Sequence, residues 1–205
     1  MIISSAALPT TNLDYGGLET ITANLAEYLA NNGIDVTVAC AKSSPIARNP
    51  KIHVIETIEP SWKGAAEQEH YNVYKKAMEE FVGDEDIIHD HTWSLFSYLS
   101  ARQIPKLKIC HTHHGMLGFS SKPPVKYPCM IGISRAHAYY MSEQLGIPVR
   151  YVFNGIDFEV PKEVMQDGFF LSLNRISKEK GIHDTIDLCV RKQIPLIIAG
   201  DDTKV

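Results

Sequence analysis

The chain holds 205 residues, 44% of them hydrophobic, with 24 acidic against 20 basic side chains and a formal charge of −4. That length supports one full domain, or one domain and part of another, with enough apolar residues for a core. Interleaved charges of both signs exclude a nucleic-acid binder built on a basic face, and no apolar run approaches the ~20 residues of a membrane helix. Peripheral attachment to a membrane surface stays open.

Met1 to Ala7 is expected to form a short buried strand that runs through a polar loop, Thr10 to Tyr15, into Gly16-Gly17. Leu18, Ile21, Leu25 and Leu29 then recur at helical spacing, and Asn31-Asn32-Gly33 stops the helix. Val36, Val38 and Cys40 alternate as a second strand, with His53-Val54-Ile55 as a third. Between Ala65 and Val82 an apolar stripe of Tyr74, Ala77, Met78, Phe81 and Val82 marks another helix, closed by Gly83. The next strand, Asp86-Ile87-Ile88-His89-Asp90-His91-Thr92, ends in histidines. A short helix over Ser94–Arg102 and Pro105 lead to a second such strand, Lys108-Ile109-Cys110-His111-Thr112-His113-His114-Gly115. Five of the nine histidines thus sit at two predicted strand tips.

Met116 to Tyr127, with Pro123, Pro124 and two lysines, lacks periodicity and reads as an active-site loop. Cys129 to Ile133 is a strand, Ser134 caps a helix carrying Ala138, Met141 and Leu145, and Gly146 ends it. Val149 to Phe153 is the last strand of this series and runs into Asn154-Gly155-Ile156-Asp157. Short apolar strands alternating with helices imply a parallel sheet covered on both faces, so residues 1–157 are predicted as one Rossmann-like α/β domain. Phe158 to Asp167, charged and holding Pro161, reads as a linker. Residues 168–205 begin a second α/β unit: a strand over Gly168–Leu173, a polar loop over Asn174–Lys180, a helix over Ile182–Arg191, and a strand over Pro195–Ala199 that ends in Gly200-Asp201-Asp202. Two strands and a helix bury no core of their own, so this unit is expected to open a larger Rossmann-like domain, with exposed strands prone to self-association. The oligomeric state is left open.

The four cysteines, Cys40, Cys110, Cys129 and Cys189, fall in apolar runs without metal or redox spacing. Each is expected to pack as a small reduced hydrophobe, and Met1-Ile2-Ile3 has no basic leader, which together point to the cytoplasm.

Chemistry concentrates in three places. Gly16-Gly17, between a strand and a helix, lets backbone N–H groups approach an anion or serves as a plain tight turn, with Glu19 as a helix-dipole partner. Arg175 and Lys180 flank a loop before the helix opened by Gly181, where they can clamp a diphosphate and neutralise a leaving group. The histidines admit several readings: satisfied buried groups, neutral hydrogen-bonding groups toward a sugar, or zinc ligands through the i,i+2 pairs His89/His91 and His111/His113. Asp90 can orient a histidine or hold a hydroxyl.

The order of these motifs resembles the family 4 glycosyltransferases: Gly16-Gly17-Leu18-Glu19, Asp86 to His91, the His114 tip, Ile133-Ser134, Asn154-Gly155-Ile156-Asp157, and Asn174-Arg175 through Glu179-Lys180-Gly181. The resemblance implies a retaining enzyme of GT-B architecture, with two Rossmann-like domains that bind a hydroxyl-bearing acceptor and a nucleotide-sugar donor, UDP- or GDP-linked. It implies that Gly16 and Gly17 approach the donor diphosphate, that Arg175 and Lys180 hold it, and that His114 contacts the donor sugar as a catalytic group, with His113 one residue away as the other alignment. Asp90, His91 and His113 become expected acceptor or sugar contacts. No metal or other cofactor is expected, and the leaving phosphate oxygen can take the acceptor proton. The family's pair of donor-site glutamates lies beyond the last residue here, so the chain is expected to be a fragment, or one piece of a split enzyme, and poorly active alone. The competing readings are a zinc hydrolase built on the histidine pairs, with Asp90 as its carboxylate, and a nucleotide-sugar-binding module without catalysis.

Overall fold

Ile2–Ile3 (β1) is an inner strand of a parallel sheet, third of seven from one edge, and the rest of the first unit builds outward on both sides of it. In the computed structural model, which describes residues 1–13, 15–81, 83, 86–103, 107–117, 129–156 and 168–201, the chain divides into two compact units, Met1–Asp157 and Phe158–Val205. The linker expected over Phe158–Asp167, most of the loop expected over Met116–Tyr127, Val82 and Pro105 lie outside the described residues.

In the first unit, β1 leads to α1 (Gly17–Asn31), β2 (Val36–Cys40), a 3-10 turn (Pro45–Arg48), β3 (Ile52–Glu56) and α2 (Gly64–Phe81). Beyond α2 come β4 (Ile87–Asp90), α3 (Ser97–Gln103), β5 (Lys108–His113), β6 (Met130–Gly132), α4 (Arg135–Leu145) and β7 (Arg150–Tyr151). The strands stand in the order β3-β2-β1-β4-β5-β6-β7, and every pairing is parallel. Connections after β1 run one way and those after β4 the other, so the direction of winding reverses between these two neighbours. Open α/β sheets bind ligands at the carboxyl ends of strands at such a switch point.

Two cores flank the sheet. One gathers Ile3, Tyr74, Met78, Ile88, Tyr98, Ile109, Met130 and Met141; the other gathers Ile2, Ala23, Ala26, Val38, Cys40 and Ile46. Each large apolar side chain buried this way contributes roughly 1.5–3 kcal/mol. The stripe on α2 is confirmed at Tyr74 and Met78, both fully buried. On α1 the buried face differs from the expected one: Leu18, Thr22, Ala23, Ala26 and Ala30 are enclosed, while Ile21, Leu25 and Leu29 are half-buried at the flank. Small side chains let the helix approach the sheet closely, so the larger ones are pushed to the edges of the contact.

Other boundaries shift for local reasons. Regular pairing in the first strand is confined to Ile2–Ile3 because the Ser4 and Ser5 side chains engage Thr10 and Glu19. The helix expected from Ser94 starts at Ser97, after Leu95 adopts a φ of 57° and the Ser97 hydroxyl donates to Asp90. The strand expected over Val149–Phe153 shrinks to Arg150–Tyr151 at the sheet edge, leaving Phe153 68% exposed. Ser134 caps α4 by accepting from His137 N at 3.1 Å, and Gly146 ends it at φ 65°. Cys40 and Cys189 are buried, but Cys110 is only half-buried and Cys129 is exposed, so the expectation of four packed thiols holds for two.

The second unit contains β8 (Phe170–Leu173), a 3-10 turn (Lys178–Lys180), α5 (Ile182–Lys192) and β9 (Leu196–Ala199), with β8 and β9 parallel. The loop after β8 presses on the end of β9: Ile176 N donates to Asp201 O at 2.9 Å, and a Cβ at Gly200 would fall 1.8 Å from Asn174 O. Only glycine fits there. Phe170, Leu171, Leu173 and Ile197 remain exposed.

Candidate functional site

The switch point of the first unit is lined by the residues that follow β1, β4 and β5. After β1 the chain turns so that Ser5 Oγ donates to Glu19 Oε1 and receives Ala7 N at 3.1 Å. Glu19 is only 3% exposed; burial raises its pKa, and the Ser5 hydroxyl opposes the rise. It is a buried anchor of the β1–α1 turn as well as an acid in the first helical turn. Gly16 sits directly over that carboxylate at φ 133°, where a Cβ would come 2.7 Å from Glu19 Oε2. Positive φ and the close approach together require glycine. Space in front of Gly17 is open, with nothing within 4 Å of a Cβ built there.

Asp90, at the end of β4, is fully enclosed. Its carboxylate accepts from Thr92 N at 2.7 Å and from the Ser97 hydroxyl, and His111 Nδ1 lies 3.4 Å from Oδ2. Burial alone would raise its pKa; the attraction of His111 and these hydrogen bonds outweigh it and hold the carboxyl well below the usual range. Its oxygens are thus occupied by the protein, and Asp90 acts on the site through His111.

The histidines form linked pairs. His91 Nδ1 and His114 Nε2 are 2.9 Å apart, His111 Nε2 and His113 Nδ1 are 3.2 Å apart, and His89 Nε2 meets Thr112 Oγ1 at 2.8 Å. His91 and His113 are buried, whereas His114 is half-buried and the more open of the two adjacent tips. Burial, reinforced by neighbouring histidines, lowers the pKa of His89 and His114 to about 4 and that of His113 to about 3, and pushes His91 well down. These four rings are neutral near pH 7. A hydrogen bond between two neutral imidazoles uses one N–H and one lone pair, so the His91–His114 pair presents one further donor and one further acceptor, and no net charge. The pairs predicted as zinc ligands are spent on other partners: His89 on Thr112, His91 on His114, and His111 on His113 and Asp90. Among the described residues no group of three or more His, Cys, Asp or Glu stands in a metal-holding arrangement.

Three site groups escaped sequence reasoning. His70, on α2, is fully buried with Nε2 3.0 Å from Ser4 O and Nδ1 2.6 Å from Thr57 Oγ1; burial lowers its pKa to about 4. Its i,i+4,i+8 spacing with Tyr74 and Met78 was the available signal. His137 takes the N–H of Ile133 on Nδ1 at 3.2 Å and donates Nε2–H to Gly115 O at 2.8 Å, which fixes its tautomer and ties α4 to the β5 tip. Glu67, in the first turn of α2, reaches Ala6 N at 3.4 Å while its other oxygen, Oε2, is buried.

In the second unit, Arg175 lies in the loop after β8, its guanidinium 2.5 Å from Glu179 Oε1. Lys180 closes the 3-10 turn before Gly181 and is exposed. The structure therefore places the two predicted cations on one short strand-to-helix connection, with an acidic side chain on the arginine.

A parallel α/β sheet with a glycine turn and paired histidines at its switch point defines a Rossmann-like ligand-binding domain. The profile of glycosyltransferase family 4 matches residues 15–160. The chain belongs to that family, and its α/β fold is consistent with the GT-B architecture. No curated protein matches the chain. Among the described residues no helix is long and apolar enough to cross a membrane.

Proposed function

We propose that this glycosyltransferase moves a sugar from a UDP- or GDP-linked donor to an acceptor hydroxyl with retention of configuration at the anomeric carbon. The observation that carries the reading is the cluster of neutral imidazoles at the switch point of a family 4 domain. Neutral rings hydrogen-bond sugar hydroxyls without attracting competing anions. His114, the more open ring, is the proposed donor-sugar contact, with His91 and His113 behind it and Asp90 orienting the set through His111.

Negative charge that develops on a departing nucleotide needs compensation. Arg175 and Lys180 are the proposed groups that hold the diphosphate. With two cations in that role the proposed reaction uses no metal, and the departing phosphate oxygen takes the acceptor proton. A cytoplasmic location is proposed from the four unpaired thiols.

The test is 31P NMR of the binding of UDP- and GDP-sugars to the protein, with and without EDTA, since the chain is expected to turn over poorly alone. Binding of one series that persists in EDTA supports the reading. No binding of either series, or binding abolished by EDTA, contradicts it.

A further inference from the structure

Two of the four thiols escape burial: Cys110 in β5 and Cys129, the residue that precedes β6. Their distance in sequence conceals a pairing that the sheet supplies. β5 and β6 run parallel with His111 opposite Met130, Thr112 opposite Ile131 and His113 opposite Gly132, so one step back the same register sets Cys110 opposite Cys129. The pairing still holds at that step, because His111 N donates to Cys129 O at 2.9 Å. The Tyr98 hydroxyl donates to the same carbonyl at 3.0 Å and fixes it from α3. Residues directly opposite on adjacent strands share a face at about 4.8 Å, inside the ~4.4–6.8 Å between Cα atoms that a disulfide spans. Burial, and after it the neighbouring Cys129, push the Cys110 thiol up to about 11, which fits the same closeness. Cys129 is exposed to dissolved oxidants, with Cys110 half-buried beside it, whereas Cys40 and Cys189 are buried in separate units.

We propose that Cys110 and Cys129 form a dithiol site for reversible oxidation by hydrogen peroxide, closing to a disulfide that joins β5 to the start of β6. The Cys129 sulfur attacks one peroxide oxygen: an S–O bond forms, the O–O bond breaks, and the other oxygen leaves with the thiol proton as water. The sulfur, oxidised by two electrons, is then a sulfenic acid. Next the Cys110 sulfur attacks it: the S–S bond forms, the S–O bond breaks, and the hydroxyl leaves with the Cys110 proton as a second water. Cys110 is a weak nucleophile in the thiol form, and its fixed place opposite Cys129 offsets this by making the step intramolecular. A dithiol reductant reverses the oxidation, as expected of a disulfide at an accessible position. The segment closed by the bond carries His111, His113, His114 and Gly115, so the thiol pair and the β5 histidine tip belong to one loop. The site stands apart from the sugar-transfer reading and does not depend on it.

The experiment treats the reduced, folded chain with hydrogen peroxide, alkylates the remaining thiols in denaturant and reads the products by mass spectrometry. The expected product is a single covalent chain that has lost two hydrogens, is alkylated only at Cys40 and Cys189, and yields a non-reduced peptide joining Cys110 to Cys129. Dithiothreitol is expected to restore alkylation at all four cysteines. Cys110→Ser and Cys129→Ser are each expected to abolish the link, whereas Cys40→Ser keeps it. In Cys110→Ser, a dimedone adduct at Cys129 is expected to mark the stranded sulfenic acid. Four alkylated cysteines after peroxide, a link through Cys40 or Cys189, a disulfide between two chains in place of the internal one, or sulfinic acid at Cys129 without any link overturns the proposal.

Discussion

The turn from β1 into α1 and the turn from β8 into α5 use one backbone device with different electrostatics. Each joins a parallel strand to a helix whose N-cap is a glycine at positive φ, Gly16 at 133° and Gly181 at 66°. Around Gly16 the side chains are buried and neutral or acidic, with Glu19 locked to Ser5. Around Gly181 the charges are of both signs, with exposed Lys178 and Lys180 and half-buried Arg175 against the carboxylates of Glu179 and Asp184. The first turn is suited to hydrogen-bonding by backbone and neutral rings, the second to direct neutralisation of an anion.

The largest expected effect tests how far the first unit depends on its buried charge. Asp90→Ala strips partners from the Thr92 amide, the Ser97 hydroxyl and His111 at once and is expected to cost about 3–5 kcal/mol in urea unfolding of that unit. A loss below about 1 kcal/mol would mean that Asp90 is not the anchor its hydrogen bonds describe. In the second unit, Gly200→Ala forces a Cβ onto Asn174 O, with an expected cost of about 3 kcal/mol. Amide exchange should then speed up in β8 and β9 while protection in β4 and β5 is unchanged. Unchanged exchange in β8 and β9 would contradict the close contact at Gly200.

Acid tests the first unit by a different route. His70, His89 and His114, lowered to about 4, and His113, lowered to about 3, stay neutral when folded, whereas an unfolded histidine titrates near 6.5. Between pH 6.5 and 4 the unfolded chain therefore binds more protons, so their contribution is complete above pH 6.5 and is lost as pH falls toward 4, at up to ~1.4 kcal/mol per pH unit for each ring. Urea titrations across this range should show the first unit weakening steeply. A smaller effect is expected from Gly16→Ala, about 1–3 kcal/mol from strained backbone and the contact with Glu19.

The alternation of apolar strands and helices made the parallel sheet legible, and the histidine tips marked the correct end of it. Strand order was not read from the sequence, because it is set by which strands pair and not by any one residue. What stayed hidden depended on contacts distant in sequence. Nothing local to Asp90 tells that Ser97 and His111 consume its oxygens, and Glu67 reads as an ordinary first-turn acid until α2 brings it to Ala6. On α1, hydrophobicity pointed to Ile21, Leu25 and Leu29, but closeness to the sheet selected the alanines. In the second unit Arg175 was readable as a cation in a loop, and its pairing with Glu179 required only the i,i+4 spacing.

The central claim, that this family 4 chain recognises a nucleotide-sugar through cations on the β8–α5 turn, is tested most directly by ligand-observed NMR with UDP, GDP and their common sugar conjugates. The spectra are compared with and without EDTA and in Arg175→Ala, with Tm recorded alongside because the Arg175 side chain is only 25% exposed and is paired with Glu179. The account predicts binding of one nucleotide series that ignores EDTA and weakens about tenfold or more in the variant. Binding abolished by EDTA, or equally strong without Arg175, would contradict it.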